Sequence, residues 1–528
     1  MTPETGADAP EYTTYTPAIR WIILLAVMLG AILEILDTSI VNVALPTMMG
    51  NLGATLDQIS WVSTGYIIAN VIILPLTGWL SNRFGRRRYL AGSMLLFTIA
   101  SLFCGLSRSL EMLVIFRILQ GMGGAALIST AQSTMIEIFP PAQTGMVTGI
   151  FGLGMMMAPT LGPTLGGWIT DNYSWPWIFF INLPIGALAT TLTLLFARDS
   201  RYQRGKNRPI DLTGIALLAI GLGCLQTVLE KGNRENWFDS SLICWLTALA
   251  VSGLAAFVVW ELTTEYPAVN LRILSNRSFA AGTVIQMAVG VGLYGGIFLL
   301  PVFLQQVQHY SAEQTGWILF PGGLATGMMM PIIGKLVSRV QARKLAFVGV
   351  GVFALAMLPF TRLTLDTGPS DLFWPWVIRG ASLAFLFVPL TIATLRSLQG
   401  QQLADGTGLF NLARQLGGSA GIAFLATFLD HNTKTQFSHL SESVTLYNPT
   451  ALARLQQLQS FFIAKGASFQ VARQQAQAAM EMLITRQASV LAFERTFMVI
   501  VLIFIAMLPL IFLLRKNDLR SMQKPAAE

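Results

Sequence analysis

AILEILDTSIVNVALP, residues 31–46, lies inside an apolar run that begins near Trp21 and carries no charge before Glu34. A run of that length and composition can cross a bilayer as a helix. Within it stand two carboxylates, Glu34 and Asp37, three residues apart and so on one helix face. An ionised acid at the bilayer centre costs about 3 kcal/mol on insertion scales, so such groups face a protein interior or a water-filled cavity and mark function. An acid at a membrane-interface turn is the plain alternative. The sharper reading is a site that titrates protons or senses cations.

The rest of the composition agrees with a membrane setting. Only 11% of the 528 residues are charged, 53% are hydrophobic, and mean hydropathy is +0.60. A soluble chain carries about a quarter charged residues. Repeated apolar runs of this kind define an all-α polytopic membrane protein, because lipid leaves only helices or closed barrels as spanning structures. The net charge of +8 does not imply nucleic acid, since the basic residues sit in short clusters between apolar runs. Cys104, Cys224 and Cys244 lie in hydrophobic stretches and form no disulfide framework. Three dispersed histidines offer no metal site, and no cofactor is expected. The first 18 residues lack the pattern of a cleavable leader, so the first span reads as signal and anchor together.

Fourteen spans are expected, from 19–45 through 407–429 to 492–514. An even number puts both termini on one side. Arg83, Arg86, Arg87 and Arg88 fill one loop, and Arg198, Arg201, Arg204, Lys206 and Arg208 another. Arg272 with Arg277, then Lys335, Arg339, Arg343 and Lys344, fill two more, whereas the alternate short loops are poor in Lys and Arg. The positive-inside rule makes the basic loops and both termini cytoplasmic. Trp175, Trp177, Trp374 and Trp376 suit the outer interface belt.

The chain also repeats itself. LPLTGWLSNRFGRRR (74–88) and MPIIGKLVSRVQARK (330–344) align without gaps, pairing Pro75 with Pro331, Gly78 with Gly334, Arg83 with Arg339 and Arg87 with Arg343. Equivalent loops in two halves imply two like-oriented bundles. The resulting division is a tail 1–18, a six-helix bundle 19–197, a basic loop 198–211 and an inserted helix pair 212–262. A linker 263–279, a second bundle 280–514 and a tail 515–528 follow. The second bundle includes an outer segment, 430–491, with helices expected near 449–464 and 468–489. A folded lid, a partner-docking surface and a solvated hairpin all remain open for it.

Four motifs carry chemistry. GWLSNRFGRRR (78–88) combines Gly78 and Gly85, which allow close helix turns, with Arg83, Arg86 and Arg87, which can hold neighbouring helix ends. FRILQGMGGAAL (116–127) places Arg117 and Gln120 inside a span. A buried guanidinium needs a carboxylate or carbonyl, with Glu34 and Asp37 the candidates and snorkelling to the outer surface the alternative. GLGMMMAPTLGPTLGGW (152–168) repeats Gly154, Ala158, Gly162 and Gly166 every four residues, with Pro159, Pro163 and Gly167 beside them, as a smooth stripe for a close neighbour. WPWIFFINLPIG (175–186) opens another span.

The first of these resembles the loop between the second and third spans of the major facilitator superfamily, with Asn82 where that family usually has an aspartate. The second resembles the fourth-span motif of its proton-coupled exporters, and the third the fifth-span antiporter motif. LDTSIVNVALP (36–46) and WPWIFFINLPIG resemble the fourteen-span drug:proton antiporters of the EmrB/QacA group, closer to the EmrB type. The resemblance implies a major facilitator fold of two six-helix bundles plus two inserted helices, driven by the proton gradient. It implies a conformational-switch role for residues 78–88, Gly334, Arg339 and Arg343, and proton coupling by Asp37, Glu34 and Arg117. It further implies a periplasmic adaptor and an outer-membrane channel as partners in two-membrane bacteria.

Aromatic and amide side chains suited to the wall of a hydrophobic substrate cavity are Asn42, Trp61, Tyr66, Gln120, Gln132, Gln286, Tyr294, Phe298 and Asn411, with Arg414 as a cation among them. Arg379 is a further intramembrane cation, and Asp405 is a possible partner of Arg414. Three functions compete: a proton-driven exporter of hydrophobic or cationic drugs, a dedicated exporter of one metabolite, siderophore or antibiotic, and a membrane receptor that transports nothing. No GxxxxGK[ST] loop or nucleophile–base constellation is present, so neither an ATP-driven pump nor an enzyme is expected.

Overall fold

The structure is a computed structural model that describes residues 15–199, 210–396, 398, 401–445 and 447–514. The tails through residue 14 and from 515, and residues 200–209 of the basic loop, fall outside the described residues. Among the described residues there are fourteen helices long and apolar enough to cross a membrane, and no strand. Spans 1 to 6 are Pro17–Leu52, Asp57–Phe84, Arg86–Gly105, Leu110–Ile138, Pro141–Asn172 and Trp177–Phe196. Spans 7 and 8 are Leu212–Lys231 and Ser241–Thr263. Spans 9 to 14 are Arg277–Val307, Glu313–Leu336, Ala342–Arg362, Pro369–Leu395, Gln401–Glu442 and Phe469–Ile511. The first six pack into one bundle and the last six into another, with spans 7 and 8 paired beside them.

The repeat extends beyond the basic loops. Span 2 starts at a capping box in which the Gln58 backbone N–H donates to Thr55 Oγ1 and the Thr55 N–H donates to Gln58 Oε1. Span 10 starts at the same device built from Ser311 and Gln314, at the offset that relates Pro75 to Pro331. Such a box satisfies two N–H groups that a helix start otherwise leaves free. Trp61 and Trp317 share that offset as well.

The repeat also fixes where the bundles touch. At the end carrying the basic loops, Gly145 of span 5 lies against the Gly334 backbone of span 10, and Gly149 against Met330. Gly78 of span 2 lies against Asp405 of span 13, and Gly408 against Leu74 and Thr77. Toward the opposite end the approach is looser: a Cβ on Gly316 of span 10 would come no closer than 3.9 Å to Thr164 of span 5. Asn42, Pro46, Thr47, Pro163 and Thr164 are exposed there. The bundles are closed at the basic end and parted at the other.

Span 7 ties both bundles together at the parted end. Lys231 pairs with Asp57 at 3.1 Å and lies 4.6 Å from the Trp61 ring centroid, on the first bundle. Gln226 donates to Ser419 Oγ and Trp237 Nε1 to Thr427 Oγ1, each at 2.9 Å, on the second.

The outer segment differs from expectation in two respects. A helix over Pro449–Ala464 is present, started by Asn448 accepting from the Thr450 and Ala451 N–H groups. The stretches expected as a separate helix at 468–489 and a last span at 492–514 are instead one helix of 43 residues, Phe469–Ile511. Nothing between 468 and 491 breaks a helix, since Ala, Gln, Met and Leu abound and Gly and Pro are absent. Span 13 likewise continues to Glu442, for 42 residues. Each is about 63 Å long, roughly twice the hydrocarbon thickness. Both therefore project well past the membrane at the parted end, with the helix Pro449–Ala464 packed on span 14.

The tryptophans divide. Trp177 and Trp374 are exposed, as an interface belt requires, but Trp175 and Trp376 are buried. Trp376 Nε1 donates to the Leu319 carbonyl at 2.9 Å, which spends its one donor inside the protein.

Candidate functional site

Asp37 sits at the centre of the first bundle, 1% exposed. Its Oδ2 accepts from Arg117 Nη1 in an ion pair, and its Oδ1 accepts from Gln120 Nε2 at 2.8 Å and Asn182 Nδ2 at 2.9 Å. Arg117 also donates through Nε to the Val62 carbonyl at 3.0 Å and through Nη1 to Gln120 Oε1 at 2.8 Å. Its guanidinium lies 4.3 Å from the Tyr66 ring centroid and 5.8 Å from that of Phe179. Snorkelling is excluded: Arg117 is 1% exposed, with no route for its head to reach water. Between its two candidate partners Arg117 takes Asp37. Spans 1, 4 and 6 thus meet at one carboxylate, and span 2 meets the arginine paired with it.

Glu34, one turn away, has a different neighbourhood. Its Oε1 accepts from Asn70 Nδ2 of span 2 at 3.0 Å, while Oε2 has no hydrogen-bond partner in the protein. Asp37 on its own helix and Arg414 of span 13, in the other bundle, both act on its charge. Nearby, Asn411 Nδ2 donates to Gln132 Oε1 across the bundle interface at 2.7 Å, and Arg414 Nη2 to Asn411 Oδ1 at 3.3 Å. Asp405 is not the partner of Arg414. Nine residues of helix put them about 13 Å apart along span 13, and Asp405 lies at the basic end against Gly78.

The small-residue stripe of span 5 has a definite neighbour. Gly154 packs on Met28 and Ile32, Gly162 on Ser39, and Gly166 on Ile40, all of span 1, with Ala158 buried between them. Pro163 has no N–H to offer the Pro159 carbonyl one turn back, and Ser39 Oγ donates to that carbonyl instead, at 3.2 Å. Gly167 meets nothing within 4 Å.

In the loop between spans 2 and 3, Arg86 pairs with Glu137 of span 4, and Arg87 donates through Nη2 to the Leu194 carbonyl of span 6. Arg87 N–H bonds Asp199 Oδ1 at 3.0 Å, and Gly85, at φ +84°, has that same carboxylate where a Cβ would stand. Only glycine adopts that backbone without strain. Arg83 lies over Trp79 at 5.6 Å, and Asn82 Oδ1 is buried with no partner. In the second copy Arg343 lies over Phe512 at 4.5 Å and Arg339 is exposed. Arg86 and Arg87 therefore bind helix ends within one bundle, whereas Gly78 and Gly334 make contacts between bundles.

The expected wall residues separate into groups. Gln120 and Tyr66 belong to the Asp37–Arg117 cluster, and Gln132, Asn411 and Arg414 to the bundle interface. Asn42 accepts from Ser63 at 3.0 Å and Trp61 stacks under Lys231, both toward the parted end. Gln286 is wholly buried in span 9, and Tyr294 and Phe298 pack against the core. Arg379 is buried against the carbonyls of Gly292 and Leu293 and the Trp376 ring, inside the second bundle.

Sequence reasoning missed Asn182, Asn70 and Ser101. Asn182 joins Asp37 to Ser101 Oγ, which in turn donates to the Phe179 carbonyl at 2.9 Å. The available signal was an amide in the middle of an apolar run, which needs a partner in lipid as a carboxylate does.

Two equivalent helical bundles, the first of which buries an ion pair at its centre, make a transport scaffold. The chain belongs to the Major Facilitator Superfamily, which it matches over residues 27–422, and within it to the EmrB type. Multidrug export protein EmrB of Escherichia coli K12 is 36% identical over 494 residues, which are 93% of this chain and 94% of that one. Fatty acid resistance protein FarB of Neisseria gonorrhoeae is 33% identical over 497 residues, 94% and 96% of the two chains. Among solved structures, the human organic anion transporter MFSD10 (TETRAN) shares the fold at 13% identity and TM-score 0.58, covering 93% of this chain and 100% of that one. The proton:xylose symporter XylE does so at 14% and 0.57, covering 89% and 95%. The protein is a multi-pass transport protein and not an enzyme.

Proposed function

We propose that this protein exports hydrophobic or cationic compounds from the cytoplasm in exchange for protons. The observation that carries this reading is the Asp37–Arg117 ion pair, buried at the crossing of spans 1, 4 and 6 and braced by Gln120 and Asn182. Coupling needs a group whose charge changes the packing around it. A charged Asp37 holds three helices through charge-assisted bonds, roughly twice as strong as neutral ones. A protonated Asp37 releases Arg117 and loosens the same three helices. Glu34 lies on the same helix face and opens toward the second bundle, where a passing substrate meets it.

The positive-inside rule puts the basic end and both termini in the cytoplasm of a bacterial inner membrane. The parted end then faces outward, and the projection built from residues 430–491 stands in the periplasm. In a two-membrane bacterium we assign that projection to contact with a periplasmic adaptor leading to an outer-membrane channel. The relative named for multidrug export supports drug-like substrates.

The test is drug-induced proton release from detergent-purified protein in weak buffer. The wild type is expected to release protons on adding substrate, and Asp37→Asn to stay folded and release none. Release at the wild-type level from an Asp37→Asn/Glu34→Gln variant would move the coupling site elsewhere.

A further inference from the structure

The turn between spans 2 and 3 divides its four arginines between two tasks. Arg86 pairs with Glu137 and Arg87 donates to the Leu194 carbonyl, both within the first bundle. Arg83 and Arg88 are exposed, and both line one open groove of about 390 Å³. Phe84 of span 2 lines it on one side, and span 3 from Arg88 through Tyr89 and Gly92 to Leu96 on the other. None of its lining residues among those described is acidic. The carboxylates bonded in this turn are engaged elsewhere, Glu137 by Arg86 and Asp199 by the Arg87 N–H. Asn82, next to Arg83, is an amide and adds no negative charge. The groove is therefore lined by two positive charges and no negative one.

Its shape says what kind of anion fits. From Arg88 to Leu96 the helix advances about 12 Å, so the groove runs from the charged loop well into the depth of the hydrocarbon. Midway, a Cβ on Gly92 would meet nothing within 4 Å, so the protein itself does not fill the floor. Further along span 3, Leu95, Ile99 and Phe103 are exposed, as a face covered by lipid tails must be. At the charged end the Arg83 guanidinium lies 5.6 Å from the Trp79 ring centroid, and tryptophan favours the headgroup level of a bilayer. One end of the groove is cationic and the other apolar, and the apolar end continues onto the lipid-facing surface. A small anion would use only the first half. An amphiphile with an anionic head and a hydrocarbon tail matches both.

We propose that this groove binds one anionic phospholipid, its phosphodiester held by Arg83 and Arg88 and one acyl chain lying over Gly92. Guanidinium groups match phosphate oxygens in geometry as well as charge, and basic pockets between spans suit acidic headgroups. A zwitterionic lipid brings its own cation up to the two arginines and gains less. The bound lipid bridges the end of span 2 and the start of span 3 across the Gly85 turn. It thus braces from the membrane side the same turn that Arg86 and Arg87 brace from the protein side. This site is separate from the Asp37–Arg117 cluster and does not depend on the exchange reading above.

Lipid binding to the purified full-length protein in detergent tests this, read by native mass spectrometry, with folding followed by size exclusion and melting. The wild type is expected to hold phosphatidylglycerol in preference to phosphatidylcholine of the same chains. Arg83→Gln and Arg88→Gln should each weaken the phosphatidylglycerol complex about fivefold, the effect of one basic residue near an anionic membrane surface. Arg272→Gln, which removes a basic residue of another loop, should change nothing. Gly92→Leu fills the floor of the groove where no neighbour has to move, and should weaken binding while leaving the melting of the lipid-free protein unaltered. Equal binding of the two lipids overturns the proposal, as does equal weakening by Arg272→Gln and Arg88→Gln. Displacement of the lipid by inorganic phosphate, with no effect of Gly92→Leu, overturns it too and makes the groove a site for the free anion.

Discussion

At the scale of single residues, Asp37 and Arg117 are worth more as a pair than either is alone. Each is about fully buried, so removing one leaves an uncompensated charge among apolar side chains. Breaking such a pair costs about 3–5 kcal/mol, whereas replacing both partners with apolar groups of similar volume is often neutral. Arg117→Met is therefore expected to lower the melting temperature in detergent sharply, and Arg117→Met/Asp37→Leu to recover most of the loss. Equal destabilisation by both variants would mean that packing volume, rather than charge, sets the cost. Ser39→Ala is a milder case. It strips the Pro159 carbonyl of its donor and should cost about 1 kcal/mol, the ordinary worth of one hydrogen bond.

At the scale of the helix, span 5 shows how one sequence serves two packing tasks. Gly154, Ala158, Gly162 and Gly166 seat it on span 1 within its bundle, and Gly145, Gly149 and Gly152 seat it on span 10 of the other. The second contact is the one that must part if the basic end opens. A leucine at Gly149 would meet the Met330 and Pro331 backbone, which cannot yield as a side-chain tip can. Overpacking of that kind costs about 1–3 kcal/mol, enough to reverse a two-state equilibrium. Spin labels placed by Arg88→Cys and Arg339→Cys, after replacing Cys104, Cys224 and Cys244, report the separation at the basic end. Gly149→Leu should lengthen it, while Gly154→Ala should leave it unchanged. An unaltered distance distribution in Gly149→Leu would show that the glycine contact does not hold this end shut.

At the scale of the whole molecule, the projecting parts of spans 13 and 14 are continuous with the membrane-embedded fold, and only the helix Pro449–Ala464 stands apart as a separate element. Cutting anywhere in 469–491 interrupts a helix that continues to Ile511. The helix Pro449–Ala464 has no buried residue and packs on span 14. Its removal should leave substrate-driven proton release intact in purified protein and abolish resistance in cells, which is the outcome adaptor contact predicts. Loss of both activities would instead make the projection part of the transporter itself. The orientation is checked in intact cells with single cysteines: Ser438→Cys should react with an impermeant thiol reagent and Ser200→Cys should not.

Much of this architecture is written in the chain because lipid restricts the choices. With no water to satisfy the backbone, each long apolar run must become a helix, so the fourteen spans follow from hydropathy alone. The offset relating residues 74–88 to 330–344 announced two equivalent halves. Charges inside spans stood out for the same reason, which is why Glu34, Asp37 and Arg117 were visible. Their partners were not. Glu34 and Asp37 are near-equal candidates on one helix face, and only the approach of spans 2, 4 and 6 gives Asp37 to Arg117 and Glu34 to Asn70. Gln120 read as cavity wall and proved to be a brace for Asp37. Asn182 drew no notice, although an amide in the middle of an apolar run needs a polar partner as a carboxylate does. Helix ends were lost wherever polarity changed without a breaker, as between 489 and 492. Composition reports where the solvent changes, and only packing reports which side chain answers which.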